Sequence, residues 1–279
     1  MNIQRIAAFS DGAVGGNPAG VVLGDTMPQA ADMQRVAGEV GFSETAFAVP
    51  NGEGKGWRVR YFSPEAEVPF CGHATIALGA ALAMRHGDGV YPLQLNHGTI
   101  SVEGRRDGER YAAALQSPPT RSEPLSPRAL AEALSLFGLG EEDLHPEVPP
   151  ACIHAGADHL LLMLKSRDTL AAMRYGFARG QQVARSHGWV TMLLCHAETP
   201  QLLHTRNAFA YGGVYEDPAT GASTAALAGY LRELGWPHGG HIELRQGDDM
   251  GVPCRLRADI TPEPGASIRV SGVARVMRD

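Results

Sequence analysis

The chain has 279 residues, a net charge of -6 and a pI near 6.0, with no block of Lys or Arg. That balance disfavours a nucleic-acid partner or a polybasic membrane contact and leaves a small molecule as the default ligand. The length exceeds what one hydrophobic core usually serves, so two domains are expected.

Four cysteines, Cys71, Cys152, Cys195 and Cys254, are scattered without CxxC pairs, which fits a reducing, cytoplasmic setting. The N-terminus lacks a basic segment followed by a long apolar core, and no apolar run approaches the roughly 20 residues that span a bilayer.

In chain order, residues 2–9 read as a strand, 11–17 as a turn and 19–23 as a second strand. A helix follows Pro28, with Met33, Val36, Ala37 and Val40 on one face, and Gly41 ends it. Residues 44–49, 57–62, 93–102 and 111–115 read as strands. Residues 117–127, SPPTRSEPLSP, hold four prolines and read as a linker. Ser126 then caps a helix that opens with Pro127 and ends at Gly138. Strands are expected at 159–164, 189–196, 201–207, 241–245, 254–258 and 267–276. The first domain is placed at 1–117 and the second at 118–266, with the C-terminal strand near 267–279 free to pack back onto the first.

A sixteen-residue stretch occurs twice without a gap: EVPFCGHATIALGAAL from residue 67 and EDPATGASTAALAGYL from residue 216, an offset of 149 with seven identities. At the same offset LQLNHG (93–98) falls on IELRQG (242–247), so one structural unit is used twice. Each copy reads Pro-x-x-Gly-x-x-Thr before a helix that carries no charge over 74–84 or 222–231. Both helices must be buried all round, and each is too short for a membrane. This predicts an α+β protein of two similar domains, each a curved sheet wrapped around one central helix. Both helix starts lack a strong carboxylate cap, leaving N–H donors and positive dipole ends that suit an anion in an interdomain cleft.

The candidate chemistry lies around these turns. Glu44, in GFSETAF, alternates with Ala46 and Ala48 and on that pattern falls on a solvent face; if its face lines a cleft, it serves as general acid and base. His73 follows Gly72 at the first helix start and is either a ligand contact or a turn cap. Asp217, in the matching turn, is a turn-former before Pro218 or a polar orienter of substrate. Cys71 precedes the first helix, where a thiolate is stabilised, but its repeat equivalent is Thr220, which cannot complete a two-cysteine racemase. Asn17, in GGNPAG, is most simply a turn residue, although its amide has the groups to hold a substrate. No metal is expected: Cys152, His154 and His159 make the densest His/Cys cluster, and a strand there would alternate their faces without a zinc spacing.

These motifs together, GNPAGVVL at 16–23, SET at 43–45, CGHAT at 71–75 and EDPATG at 216–221, resemble the phenazine-biosynthesis isomerase (PhzF-like) family of the diaminopimelate epimerase superfamily. The resemblance implies two mixed β-barrels, each around a central helix, and a homodimer. It also implies cofactor-free isomerisation, the best-known substrate being trans-2,3-dihydro-3-hydroxyanthranilate. Residue by residue, Glu44 would shuttle the proton, and His73 and Asp217 would position a small anionic substrate beside Asn17, Gly72, Gly221, Ala222 and Ser223. The chain departs from the family at Ala222 then Ser223, where Ser then Ala is frequent, so a hydroxyl facing the ligand is displaced. Two alternatives stand beside the isomerase: a racemase or epimerase using Cys71, and a binding protein without turnover.

Overall fold

A computed structural model describes residues 1–52 and 56–277 and divides the chain into two units, Met1–Gln116 with Ser271–Asp279 and Ser117–Val270. The first unit contains β1 (Gln4–Ala8), β2 (Asn17–Leu23), α1 (Ala30–Val40), β3 (Thr45–Pro50), β4 (Trp57–Phe62) and β5 (Glu67–Val68). It continues with α2 (Gly72–His86), β6 (Gly89–Leu95), β7 (Gly98–Asp107) and β8 (Arg110–Gln116). The second unit runs through β9 (Arg121–Pro124), α3 (Pro127–Phe137), β10 (Ala151–His154), β11 (Asp158–Met163), α4 (Arg167–Ala171) and α5 (Phe177–His187). After these come β12 (Thr191–Ala197), β13 (Leu202–Ala208), β14 (Glu216–Asp217), α6 (Gly221–Glu233), β15 (His241–Gln246) and β16 (Cys254–Asp259). The last strand, β17 (Arg269–Val276), returns most of its length to the first unit.

The duplication extends far beyond the repeated motif. In the first unit β1 pairs β2 antiparallel, β2 pairs β3 parallel, β3 pairs β4 antiparallel, β4 takes β5 antiparallel and β6 parallel, and β6 pairs β7 antiparallel. The second unit reproduces these six pairings in order and sense: β10 with β11, β11 with β12, β12 with β13, β13 with β14 and with β15, β15 with β16. In the first unit β7 pairs β8, β8 pairs β17 and β17 pairs β1, closing a ring of eight strands.

The ring is filled by α2, whose residues from His73 to Ala83 are all buried. The helix lies very close to the wall: a Cβ at Gly104 on β7 would sit 2.2 Å from the Gly79 carbonyl oxygen. Outside the ring, α1 packs Met33, Val36 and Ala37 onto Val22, Phe47 and Phe62, and Gly41 closes it with φ 71°. In the second unit α6 is likewise buried around its girth and packs against β9, β10, β11, β15 and β16. Its outer layer sets α3 and α5 on Leu160, Leu162, Met192 and Leu194. Ser126 Oγ accepts from Ala129 N–H at 3.2 Å to cap α3. Among the described residues no helix is long and apolar enough to cross a membrane.

One expectation needs correction. Residues 117–127 are not all linker, because β9 forms inside them and pairs antiparallel with β10 from Arg121↔His154 to Pro124↔Ala151. The proline signal misled because Pro118 and Pro119 precede the strand and Pro124 ends it, where a missing N–H costs little.

Candidate active site

In the first unit the turn after β5 delivers the chain to α2 with Cys71 as the N-cap, extended at φ -145° and ψ 120°, and no side chain caps the helix. Its free N–H groups and the positive dipole end therefore remain available. Thr75, one turn in, donates from Oγ1 to the Cys71 carbonyl at 2.7 Å and meets the Tyr61 hydroxyl, also at 2.7 Å, which fastens the helix start to β4. Burial pushes the Tyr61 phenol upward, so it stays neutral.

Around this start His73 gathers three side chains. Its Nε2 lies 3.4 Å from Glu44 Oε2 and 3.3 Å from Ser43 Oγ, while Cys71 Sγ lies 3.3 Å from Nδ1. The ring is 8 % exposed and the Glu44 side chain 17 %. Glu44 thus does not stand on a solvent face. It sits one residue before β3, with its carbonyl oxygen accepting from Gly20 N–H at 3.1 Å. Both faces of β3 are covered: Phe47 lies under α1, and Ala46 and Ala48 are as deeply buried on the other side. Alternation identifies a solvent face only where a sheet has one.

The second unit has an analogous start with different groups. Thr220 is the N-cap of α6, again without a side-chain cap, and Thr224 repeats the back-bond of Thr75, donating to Thr220 O at 2.9 Å. Asp217 Oδ2 accepts from Thr220 Oγ1 at 2.5 Å. Gln246, at the end of β15, donates from Nε2 to Asp217 O at 2.7 Å and receives Thr220 N–H on Oε1 at 3.3 Å. Ser223 is fully buried; its hydroxyl receives Asn207 Nδ2 at 2.8 Å and donates to Thr220 O at 3.2 Å. Its oxygen is thereby committed to the protein, whereas Ala222 beside it is partly exposed.

Strand register fixes which residues correspond. Phe62 pairs Glu67 and Thr45, and Ala208 pairs Glu216 and Met192, so Phe62 matches Ala208 and Thr45 matches Met192. One residue back, Glu44 corresponds to Thr191. Its hydroxyl is buried against His159 Nδ1 at 2.7 Å. Cys71, His73 and Val68 correspond to Thr220, Ala222 and Asp217. The two repeats therefore share a scaffold and divide the chemistry: carboxylate, thiol and imidazole in the first, a lone aspartate in the second.

The shared glutamate of the motif has a structural part. Glu67 receives Arg60 from β4 through both oxygens, at 2.7 and 2.5 Å, and this guanidinium, with Asn96, holds its carboxyl below the usual range. Glu216 receives Arg206 from β13 in the same way, at 2.9 and 2.5 Å. Arg60 and Arg206 stand at matching places, each two residues before the partner of its glutamate. Sequence alone missed both arginines, because the loop between β13 and β14 is longer than its counterpart and breaks the 149-residue offset.

The remaining candidates are placed as follows. Gly72 and Gly221 are the first residues of α2 and α6. Asn17 is not a turn residue: it opens β2, buried at 3 %, opposite Ala8. Cys152 and His154 share one face of β10 while His159 belongs to the other, with Ile153 opposite it, so these three do not converge. Glu44, by contrast, is far in sequence from Cys71 and His73, yet the three offer ligand atoms within 4.8 Å of one another.

The comparisons point one way. The family model described as "Phenazine biosynthesis-like protein" matches residues 6–279. An uncharacterized isomerase of Mesorhizobium japonicum is 30% identical, covering 97% of this chain and 95% of its own. The trans-2,3-dihydro-3-hydroxyanthranilate isomerase of Pseudomonas fluorescens is also 30% identical, with the same coverage of 97% and 95%. A crystal structure of a PhzF-family phenazine biosynthesis protein from Bacillus anthracis superposes with a TM-score of 0.87 at 21% identity, over 99% of this chain and 96% of that one.

Proposed function

The chain belongs to the phenazine biosynthesis-like protein family and is an isomerase, and on that premise we propose that Glu44 is its sole proton shuttle. The substrate is a small carboxylate-bearing molecule of the kind that the Pseudomonas fluorescens relative is named for, and no cofactor takes part. One observation carries this reading: Glu44 meets His73 at an uncapped helix start, while the matching place in the second repeat holds Thr191, which has no carboxylate.

Glu44 removes a proton from an activated carbon and returns it to another carbon on the same face of the substrate. His73 positions the reacting group, and the N–H groups at the start of α2 stabilise the negative charge that develops. In the first unit Asn17 and Gly72 add substrate contacts to that of His73; in the second, Asp217 with the backbone of Gly221 and Ala222 is equipped for the same kind of contact. Ser223 contributes through its backbone, since its hydroxyl is engaged by Asn207. The four cysteines, none in a disulfide, support a cytoplasmic enzyme, and the family likeness supports a homodimer.

The test is turnover in deuterated water. Glu44→Gln is expected to lose about 10²- to 10⁴-fold in rate, the usual scale for removing a general acid/base. Cys71→Ser is expected to keep most activity. The opposite pattern, with the glutamine variant active and the serine variant dead, would assign the base to Cys71 and make the enzyme a racemase or epimerase.

A further inference from the structure

The same side chains have a second chemistry. We propose that Glu44, Cys71 and His73 form an open three-ligand site for a thiophilic divalent cation of the zinc type, and that filling it switches the isomerase off. The inhibition rests on the acid/base roles given above; the binding site does not.

The geometry is the first support. His73 Nε2 lies 3.9 Å from Cys71 Sγ and 3.4 Å from Glu44 Oε2. Zinc bonds of about 2.3 Å to sulfur and 2.0–2.2 Å to nitrogen or oxygen, at tetrahedral angles, set sulfur and nitrogen about 3.6 Å apart and nitrogen and oxygen about 3.4 Å apart. All three ligand atoms lie within 4.8 Å of one another, so a shift of up to about 1 Å in the sulfur, with rotation of the imidazole, brings all three donors onto one ion.

Charge and donor type are the second. A thiolate and a carboxylate neutralise a dication, and the uncapped start of α2 favours the thiolate. One sulfur, one imidazole nitrogen and one carboxylate oxygen select zinc or cobalt over magnesium or calcium, which prefer oxygen throughout. Three protein donors leave a fourth position to water, the pattern of exchangeable rather than structural zinc sites.

The consequence follows from which lone pairs are used. A bound ion occupies the carboxylate of Glu44 and the ring nitrogen of His73 that faces it, so neither reaches the substrate. Binding releases the thiol proton, so affinity rises with pH. Among the described residues the stoichiometry is one ion per chain, because the corresponding triple in the second repeat is Thr191, Thr220 and Ala222.

Cobalt(II) chloride is the direct probe, since a cobalt–thiolate bond adds a near-ultraviolet charge-transfer band that needs no turnover to be seen. The wild-type protein should develop this band up to one equivalent, zinc chloride should abolish it by displacement, and magnesium chloride should not. Cys71→Ser should lack the band, and His73→Gln should weaken cobalt binding by more than the roughly 10- to 100-fold that loss of an outer-shell partner costs, circular dichroism verifying that both variants are folded. Zinc should inhibit turnover over the concentration range in which it displaces cobalt. A wild type without the band, or a band that survives in Cys71→Ser, overturns the site whatever Glu44 does in catalysis. Zinc that displaces cobalt without inhibiting overturns the switch.

Discussion

Arg206 and Glu216 meet edge to edge, guanidinium against carboxylate at 2.9 and 2.5 Å, with side chains only 9 % and 3 % exposed. Arg206 also donates to Ala171 O and Met173 O, at 2.9 and 3.1 Å. The matching pair of the first repeat, Arg60 and Glu67, has the same geometry but is 21 % and 27 % exposed. Removing one partner of a buried pair strands the other charge, at a cost of about 3–5 kcal/mol, whereas a solvated pair contributes about 1 kcal/mol or less. Glu216→Gln should therefore destabilise the protein severely and Glu67→Gln only slightly, as measured by urea denaturation; equal effects would contradict the burial difference.

His159 sets a pH dependence. Burial holds its imidazole down to about 3, while an unfolded chain takes its proton near pH 6.5. Below that pH the unfolded state binds a proton that the native state refuses, so stability falls as pH falls from about 6.5 towards 3. The slope reaches about 1.4 kcal/mol per pH unit. His159→Gln should flatten the stability profile between pH 6 and pH 5 (about one unit below the imidazole's usual range), measured by denaturant titration at each pH; an unchanged slope would count against a neutral His159.

The contact of Gly79 with Gly104 leaves no room for a methyl group, since a Cβ at Gly104 would come within 2.2 Å of a backbone oxygen. Gly104→Ala must push α2 from the wall of the ring and should cost about 1–3 kcal/mol. Thermal unfolding checks this, and activity should fall with it, because α2 also carries His73.

The uncapped starts of α2 and α6 should bind small anions weakly through backbone N–H groups, each dipole end contributing on the order of 1 kcal/mol. Crystals grown with acetate or sulfate are expected to show the anion at Gly72 and His73 or at Gly221 and Ala222. Titration with small carboxylates that gave no saturable signal from acid to neutral pH would refute it.

Much of this architecture was legible because burial leaves a direct imprint on composition. The uncharged stretches 74–84 and 222–231 can only be buried helices, and the repeated Pro-x-x-Gly-x-x-Thr marks where they start. The threonine of that pattern is explained by Thr75 and Thr224, which return their hydroxyls to the carbonyl one turn back. What stayed hidden was long-range. The struts from Arg60 and Arg206 depend on strand register, and Glu44 comes to His73 across a parallel β2–β3 crossover that no local pattern encodes. The proximity of Ser43 and Cys71 to the same ring was hidden for the same reason, although both lie within motifs that the sequence singled out.

The ring of the first unit is completed by the strand made last. Seven of its staves lie within residues 4–116, and the eighth, β17, begins at residue 269. At about 5–20 residues per second of synthesis, the nascent barrel waits roughly ten to thirty seconds with the edges of β1 and β8 unpaired. The second unit, continuous from 117 to 270, has no such wait. The half that carries Glu44 and His73 is thus the first to be translated and the last to close, and a ribosome-bound or truncated chain ending before β17 presents two open sheet edges to whatever chaperone or sister chain meets it first.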